Sequence, residues 1–126
     1  MIIPEWVREL VAKVCLDYGH GELQPEILWR WKFRRSSSGF AYNKENRISI
    51  TAGKDRDDQR LVLLHELAHW LRPTGEHHSS QFWDLAFNLY RNYGVKITYA
   101  VNREKHYRKE AFKAYRRGVE ARRAIK

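Results

Sequence analysis

A chain of 126 residues with 43% hydrophobic and 31% charged residues has the length and balance of one ordinary globular domain, which excludes a disordered or membrane-embedded class. Lys and Arg number 24 against 15 Asp and Glu, a formal net charge of +9, and the excess is uneven: residues 102–126 hold ten Lys and Arg and only three Glu. The single cysteine, Cys15, excludes an intramolecular disulfide and a Cys-rich zinc ribbon, and it fits a reducing compartment.

The opening MIIPEWVREL has Pro4 and charges where a secretory signal needs an apolar run, and no apolar stretch approaches the roughly 20 residues of a membrane span. A cytoplasmic or nucleoid-associated location is expected.

In chain order, Pro4 suits the first turn of a helix, and Trp6, Val7, Leu10, Val11, Val14 and Cys15 recur at helical spacing up to Gly19 and Gly21. Ile27, Trp29, Trp31 and Phe33 alternate with Leu28, Arg30, Lys32 and Arg34, which predicts a strand with an aromatic face and a basic face. The aromatic face reads as core, with base stacking by Trp29, Trp31 or Phe33 as the other use. Phe40 to Tyr42 and Arg47 to Thr51 flank a polar turn and predict a hairpin with Ile48 and Ile50 facing inward.

Asp55, Asp57 or Asp58 is placed to cap a helix through QRLVLLHELAHWL, which must end before Pro73. Ser79 or Ser80 is placed to cap a third helix through Phe82, Leu85, Ala86, Leu89 and Tyr90, closed by Gly94. Val95 to Val101 reads as a short extended piece. Asn102 is placed to cap a last, strongly basic helix with a narrow stripe at Tyr107, Ala111, Tyr115 and Val119. The expected class is α+β: a small, mainly antiparallel sheet of about three strands packed on the HELAH helix and its neighbours. Residues 1–101 are expected to form the domain and residues 102–126 a basic helical extension of it.

His65-Glu66-Leu67-Ala68-His69 is an H-E-x-x-H segment. One helical turn puts His65 and His69 on one face, where two imidazoles can hold one Zn2+. Glu66, about 100° round the helix, reaches a water at that metal and serves as general base. Two His and a Glu on an apolar helix are costly to bury unless something pairs them, and a metal does so. Catalytic zinc takes three protein ligands. Glu76, His77 and His78 follow the motif; His78 is favoured because it abuts the helix beginning near Ser79, with His77 as the alternative. His20, between two glycines, reads as a helix-end residue, His106 as part of the basic helix, and Cys15 as inert. Tyr90, Tyr93 and Tyr99 are candidates to donate to an oxyanion, though core or rim positions suit each of them better.

HELAHWL, a short loop, then HHSSQFW and an amphipathic helix resemble the SprT-like zinc metalloproteases, and RISIT resembles the strand preceding their motif. The likeness covers about residues 38–94. It implies a zincin-like fold, one Zn2+ on His65, His69 and His78, and Glu66 as the base of peptide-bond hydrolysis. Ser79 stands where that family usually has Gly, and His77 where it often has Gly. The zinc ribbon of some members is excluded by the lone Cys15.

The resemblance and the charge together imply an endopeptidase acting on DNA-associated proteins. Any nucleic-acid contact falls to Arg30, Lys32, Arg34 and Arg35 on the strand and to Lys105, Arg108, Lys109, Lys113, Arg116, Arg117, Arg122 and Arg123 in the tail. The alternatives are a regulatory zincin that cleaves a repressor-type protein and a non-catalytic, zinc-containing nucleic-acid-binding module.

Overall fold

The structure, a computed structural model, describes residues 2–73, 78–105 and 108–124, the side chains of Arg108 and Ala124 excepted. His77, His106 and Tyr107 lie outside the described residues. The described chain is α+β, with five α-helices and a three-stranded sheet, and divides into two units, Met1–Leu71 and Arg72–Lys126.

The first unit begins with α1 (Glu5–Asp17), entered through Pro4, and buries Val7, Leu10, Val11, Val14 and Cys15, the stripe its sequence displays. Gly19, at φ 80°, turns the chain out of the helix, a conformation that costs a residue without Cβ little.

β1 (Glu26–Trp31), β2 (Ser38–Tyr42) and β3 (Arg47–Ala52) form a sheet in the order β1-β3-β2. β2 and β3 make the expected antiparallel hairpin, with Gly39 opposite Ile50 and Ala41 opposite Ile48. Its turn is a single 3-10 turn, Asn43–Glu45, followed by Asn46 at φ 53°, a left-handed position that Asn tolerates. β1 pairs with β3 in parallel, Trp29 opposite Ile50, so the sheet is mixed rather than mainly antiparallel. The reason is the connection: residues 32–37 carry the chain from β1 over the end of β3 to the far edge, and β3 then fills the gap. Gly53 lies under this crossing, where a Cβ would come within 2.6 Å of the carbonyl oxygens of both Arg34 and Arg35.

β1 also ends earlier than its alternation predicts. Trp29, Ile48 and Ile50 are fully buried, whereas Trp31 is 58% and Phe33 98% exposed, so the aromatic face is core at only one of its three rings.

The first unit closes with α2 (Arg56–Leu71), packed on β2 and β3. Asp55 Oδ1 accepts the amides of Asp57 (2.9 Å) and Asp58 (3.2 Å), the expected cap. Asp58, itself buried, accepts the Ser37 amide, and Gln59 Nε2 donates to the Gly53 carbonyl at 2.6 Å. These bonds tie the start of α2 to the crossing loop.

The second unit consists of α3 (Ser80–Asn92), α4 (Ile97–Arg103) and α5 (Arg108–Ala124). Ser79 caps α3 by accepting the Phe82 amide at 3.2 Å. Gly94, at φ 90°, ends it, with the Val95 amide returning to the Tyr90 carbonyl at 3.0 Å. Val95 to Val101, expected to be extended, instead leads into a helix, α4 over Ile97–Arg103, because α4 buries Ala100 and packs against α3 and α5. Asn102 therefore lies inside α4 rather than capping the last helix. α5 packs along α3, burying Ala111 and Ala114. No described helix is long and apolar enough to cross a membrane.

Candidate metal centre

α2 explains why the H-E-x-x-H residues sit where they do. Leu61, Val62, Leu63, Leu64, Leu67 and Ala68 are buried on several sides of the helix, which draws His65 and Glu66 into the interior with them. His65 is 8% and Glu66 7% exposed, and His69, one turn on, is half-buried. The two imidazole centroids stand 5.1 Å apart with their planes at 63°. The backbone of the second histidine is fastened from outside the helix: Asn43 Nδ2, in the hairpin turn, donates to the His69 carbonyl at 3.0 Å. Near the helix end, Trp70 Nε1 donates to Asn46 Oδ1 at 2.7 Å and its ring lies against that of His20, which is therefore a packing residue of the first unit.

Two neighbours of this helix escape a reading of the sequence. Asn43 is ordinary in a turn, and only the folded hairpin brings it to the His69 carbonyl. Gly39 pairs with Ile50 on β2 and faces the Glu66 side chain, with no room for a Cβ between them. The adjacency of SGF to a strand run hints at a close approach there.

In the second unit His78 precedes the cap of α3. Its backbone is in the left-handed region at φ 55°, and its ring stacks on Trp83, with centroids 5.3 Å apart and planes at 19°. Tyr90 is fully buried and donates through its hydroxyl to Glu104 Oε1 at 2.9 Å, Tyr93 is buried, and Tyr99 is half-buried.

Of the basic residues, Arg30, Lys32, Arg34 and Arg35 are exposed on the first unit, and Lys105, Lys109, Lys113, Arg116, Arg117, Arg122 and Arg123 on the second. Arg108 begins α5 and its side chain lies outside the described set. Three of these cations have an anionic partner in their own unit, Arg35 among them, with Nε 4.0 Å from Asp55 Oδ2. Arg117 binds Asp84 through Nε at 2.7 Å and Nη2 at 2.6 Å, and Lys113 lies 3.6 Å from Glu110. Cys15 is fully buried, and burial pushes its thiol up to about 11, as an inert packing residue requires.

Compared with known proteins, the chain matches no family model, and neither the curated proteins nor the solved structures include a significant match to it.

Proposed function

We propose that this chain is a zinc-dependent endopeptidase of SprT-like, zincin type, in which His65, His69 and His78 hold one Zn2+ and Glu66 is the general base. The observation that carries the reading is the disposition of α2: two imidazoles one turn apart, with Glu66 buried next to His65 in the chain among buried apolar residues. The third donor in this reading is His78, which follows the motif in sequence and directly precedes the Ser79 cap of α3. Three neutral imidazoles with an open fourth position are a donor set suited to catalytic zinc.

Zinc in such a set supplies a Lewis acid for the scissile carbonyl and acidifies water enough for it to ionise near neutral pH. The chain's own residues do the remaining work. Glu66 takes a proton from the attacking water and returns it to the departing amine nitrogen. Burial keeps the Glu66 side chain in a defined position, and the Asn43 bond holds the His69 backbone in register with the hairpin. β2 pairs only with β3 among the described residues, so its outer edge is available to an extended peptide substrate. The basic face of α5 suits a nucleic-acid partner, with DNA-associated proteins as substrates and a cytoplasmic or nucleoid location.

Digestion of an unstructured protein such as casein tests the reading. The zinc-loaded chain is expected to cleave it, a chelator to stop cleavage, and Glu66→Gln to keep the metal while losing at least about 100-fold in turnover. Normal turnover in Glu66→Gln refutes the general-base assignment. Zinc retention without any cleavage by the unaltered chain favours the binding-module alternative.

A further inference from the structure

The loop after β1 is built unlike an ordinary surface connection. Its backbone is fixed at four points: the Lys32 amide donates to the Ala52 carbonyl (2.9 Å), Arg34 to Lys32 (2.9 Å), Lys54 to Arg34 (2.8 Å) and Asp55 to Arg35 (3.3 Å). Yet this fixed loop holds Phe33 at 98% exposure, and the strand leading into it leaves Trp31 58% exposed. A large apolar ring held almost wholly in water by an ordered backbone loses the burial energy that most Phe residues gain.

The surroundings of these rings are cationic. Lys54 Nζ lies 5.3 Å from the Phe33 centroid, which leaves the opposite ring face open. Arg34 is oriented by two bonds, Nε to the Ser36 carbonyl (3.2 Å) and Nη2 to Ser38 Oγ (2.9 Å). Arg34, Arg35, Lys54 and Asp55 line an open pocket of about 440 Å3. Its one carboxylate is already engaged, accepting the two amides that cap α2, and stands 4.0 Å from Arg35 Nε. Trp31 is steadied by an edge-on contact with the buried Trp29, centroids 5.6 Å apart.

We propose that this loop is a stacking platform for single-stranded nucleic acid, in which Phe33 and Trp31 take bases and Arg34, Arg35 and Lys54 take the flanking phosphates. Unpaired bases offer the ring faces that exposed aromatics bind, whereas in a duplex those faces are stacked on one another. A lipid surface fits less well. To insert Phe33 into a bilayer, the chain must carry the Lys54 ammonium and the Arg34 guanidinium toward the acyl region with it. The proposal deepens the nucleic-acid part of the function proposed above and rests on that part alone, since it needs neither metal nor hydrolysis. It moves base contact to the first unit, leaving α5 to supply charge.

The test is fluorescence anisotropy of the full chain with labelled oligo-deoxythymidine and oligo-uridine of about 15 nucleotides, a duplex of the same length, and, by co-sedimentation, phosphatidylserine vesicles. Phe33→Ala and Trp31→Ala are each expected to weaken single-strand binding by about tenfold and to change duplex binding less than about twofold. Lys54→Gln is expected to reduce the log–log salt slope by about 0.7 on single strands. Both oligonucleotides are expected to bind, because every base has a stacking face. Unchanged single-strand affinity in both aromatic variants overturns the proposal, as does Phe33-dependent sedimentation with vesicles in the absence of oligonucleotide binding. A triple change of Arg116, Arg122 and Arg123 to Gln separates the two readings. If it abolishes binding while the aromatic variants do not, the platform is wrong and the α5 reading stands; if the unaltered chain binds no oligonucleotide at low salt, both fall.

Discussion

Gly39 lies directly against Glu66: a Cβ added at Gly39 would stand 2.9 Å from Glu66 Cγ, 2.8 Å from Ile50 Cδ1 and 3.1 Å from the Ser49 carbonyl oxygen. At such separations something must shift. Gly39→Ala is therefore expected to destabilise the chain by about 1–3 kcal/mol, as overpacking does, and to push the Glu66 carboxyl off its line. Zinc content should remain one per chain while turnover falls by at least about tenfold, since a displacement of about 1 Å is costly at a reacting centre. Measuring metal content, urea unfolding and turnover on one preparation checks all three; unchanged turnover rules out a positioning role for Gly39.

The His78 ring is braced on Trp83 just ahead of the Ser79 cap. His78→Ala is expected to weaken zinc binding by more than the roughly 10–100-fold that loss of an outer partner causes, and His77→Ala by much less. Competition with a chromophoric chelator gives both values, and an equal or larger loss in His77→Ala reassigns the third ligand.

Cys15 reports on the packing of α1. Its thiol is buried and held up to about 11 from the ordinary value of 9.0, so the folded chain favours the protonated form. The stabilisation linked to it is complete below pH 9 and is lost as pH rises from 9 towards 11, because the unfolded chain ionises first. Apparent melting temperature should fall across that interval, and Cys15→Ala should flatten the fall. In the native state a disulfide reagent at pH 8 should react with Cys15 slowly, at a rate that follows unfolding by urea.

Arg91 and Gly118 are coupled in the same way as Gly39 and Glu66, but with a mobile partner. Arg91 Nη2 donates to the Tyr115 carbonyl at 3.3 Å, and a Cβ at Gly118 would fall on the Arg91 guanidinium. Gly118→Ala gains helix propensity worth about 1 kcal/mol and displaces Arg91, so its net effect on stability should lie within about 0.5 kcal/mol of zero. In an Arg91→Ala background the same change should stabilise by about 1 kcal/mol. A double-mutant cycle in urea measures the difference, and equal effects in the two backgrounds disprove the coupling.

What the sequence displays best is local. The stripe of α1, the Asp55 and Ser79 caps, the stop at Gly94 and the hairpin around Asn43-Lys44-Glu45-Asn46 all rest on contacts a few residues apart. The parallel pairing of β1 with β3 does not, because its register joins residues 21 apart, Glu26 with Arg47, through a crossing loop that leaves no periodic mark. VKITYAV shows how context overrides propensity: its β-branched residues favour extension, yet burial of Ala100 between neighbouring helices makes a short helix of it. The candidate site divides along the same line. His65, Glu66 and His69 are legible because helical geometry fixes their spacing, whereas Gly39, Asn43 and the exposure of Phe33 arise only from the way distant strands meet.

The sheet order also has a consequence for how the chain is made. β1 and β2 are separated in the sheet by one strand, about 9.5 Å apart, with only residues 32–37 between them, so neither can complete a ladder until β3 arrives. During synthesis, residues 26–42 must wait for residue 52 to emerge, and the H-E-x-x-H helix follows immediately behind. The hairpin, whose ends are near in sequence, closes first; β1 then docks on the free side of β3, a step with a longer loop to close. In native-state hydrogen exchange β1 should accordingly open as a separate unit at lower free energy than β2 and β3. The loop bearing Phe33 would move with it, so that the two ends of that loop belong to segments of different persistence.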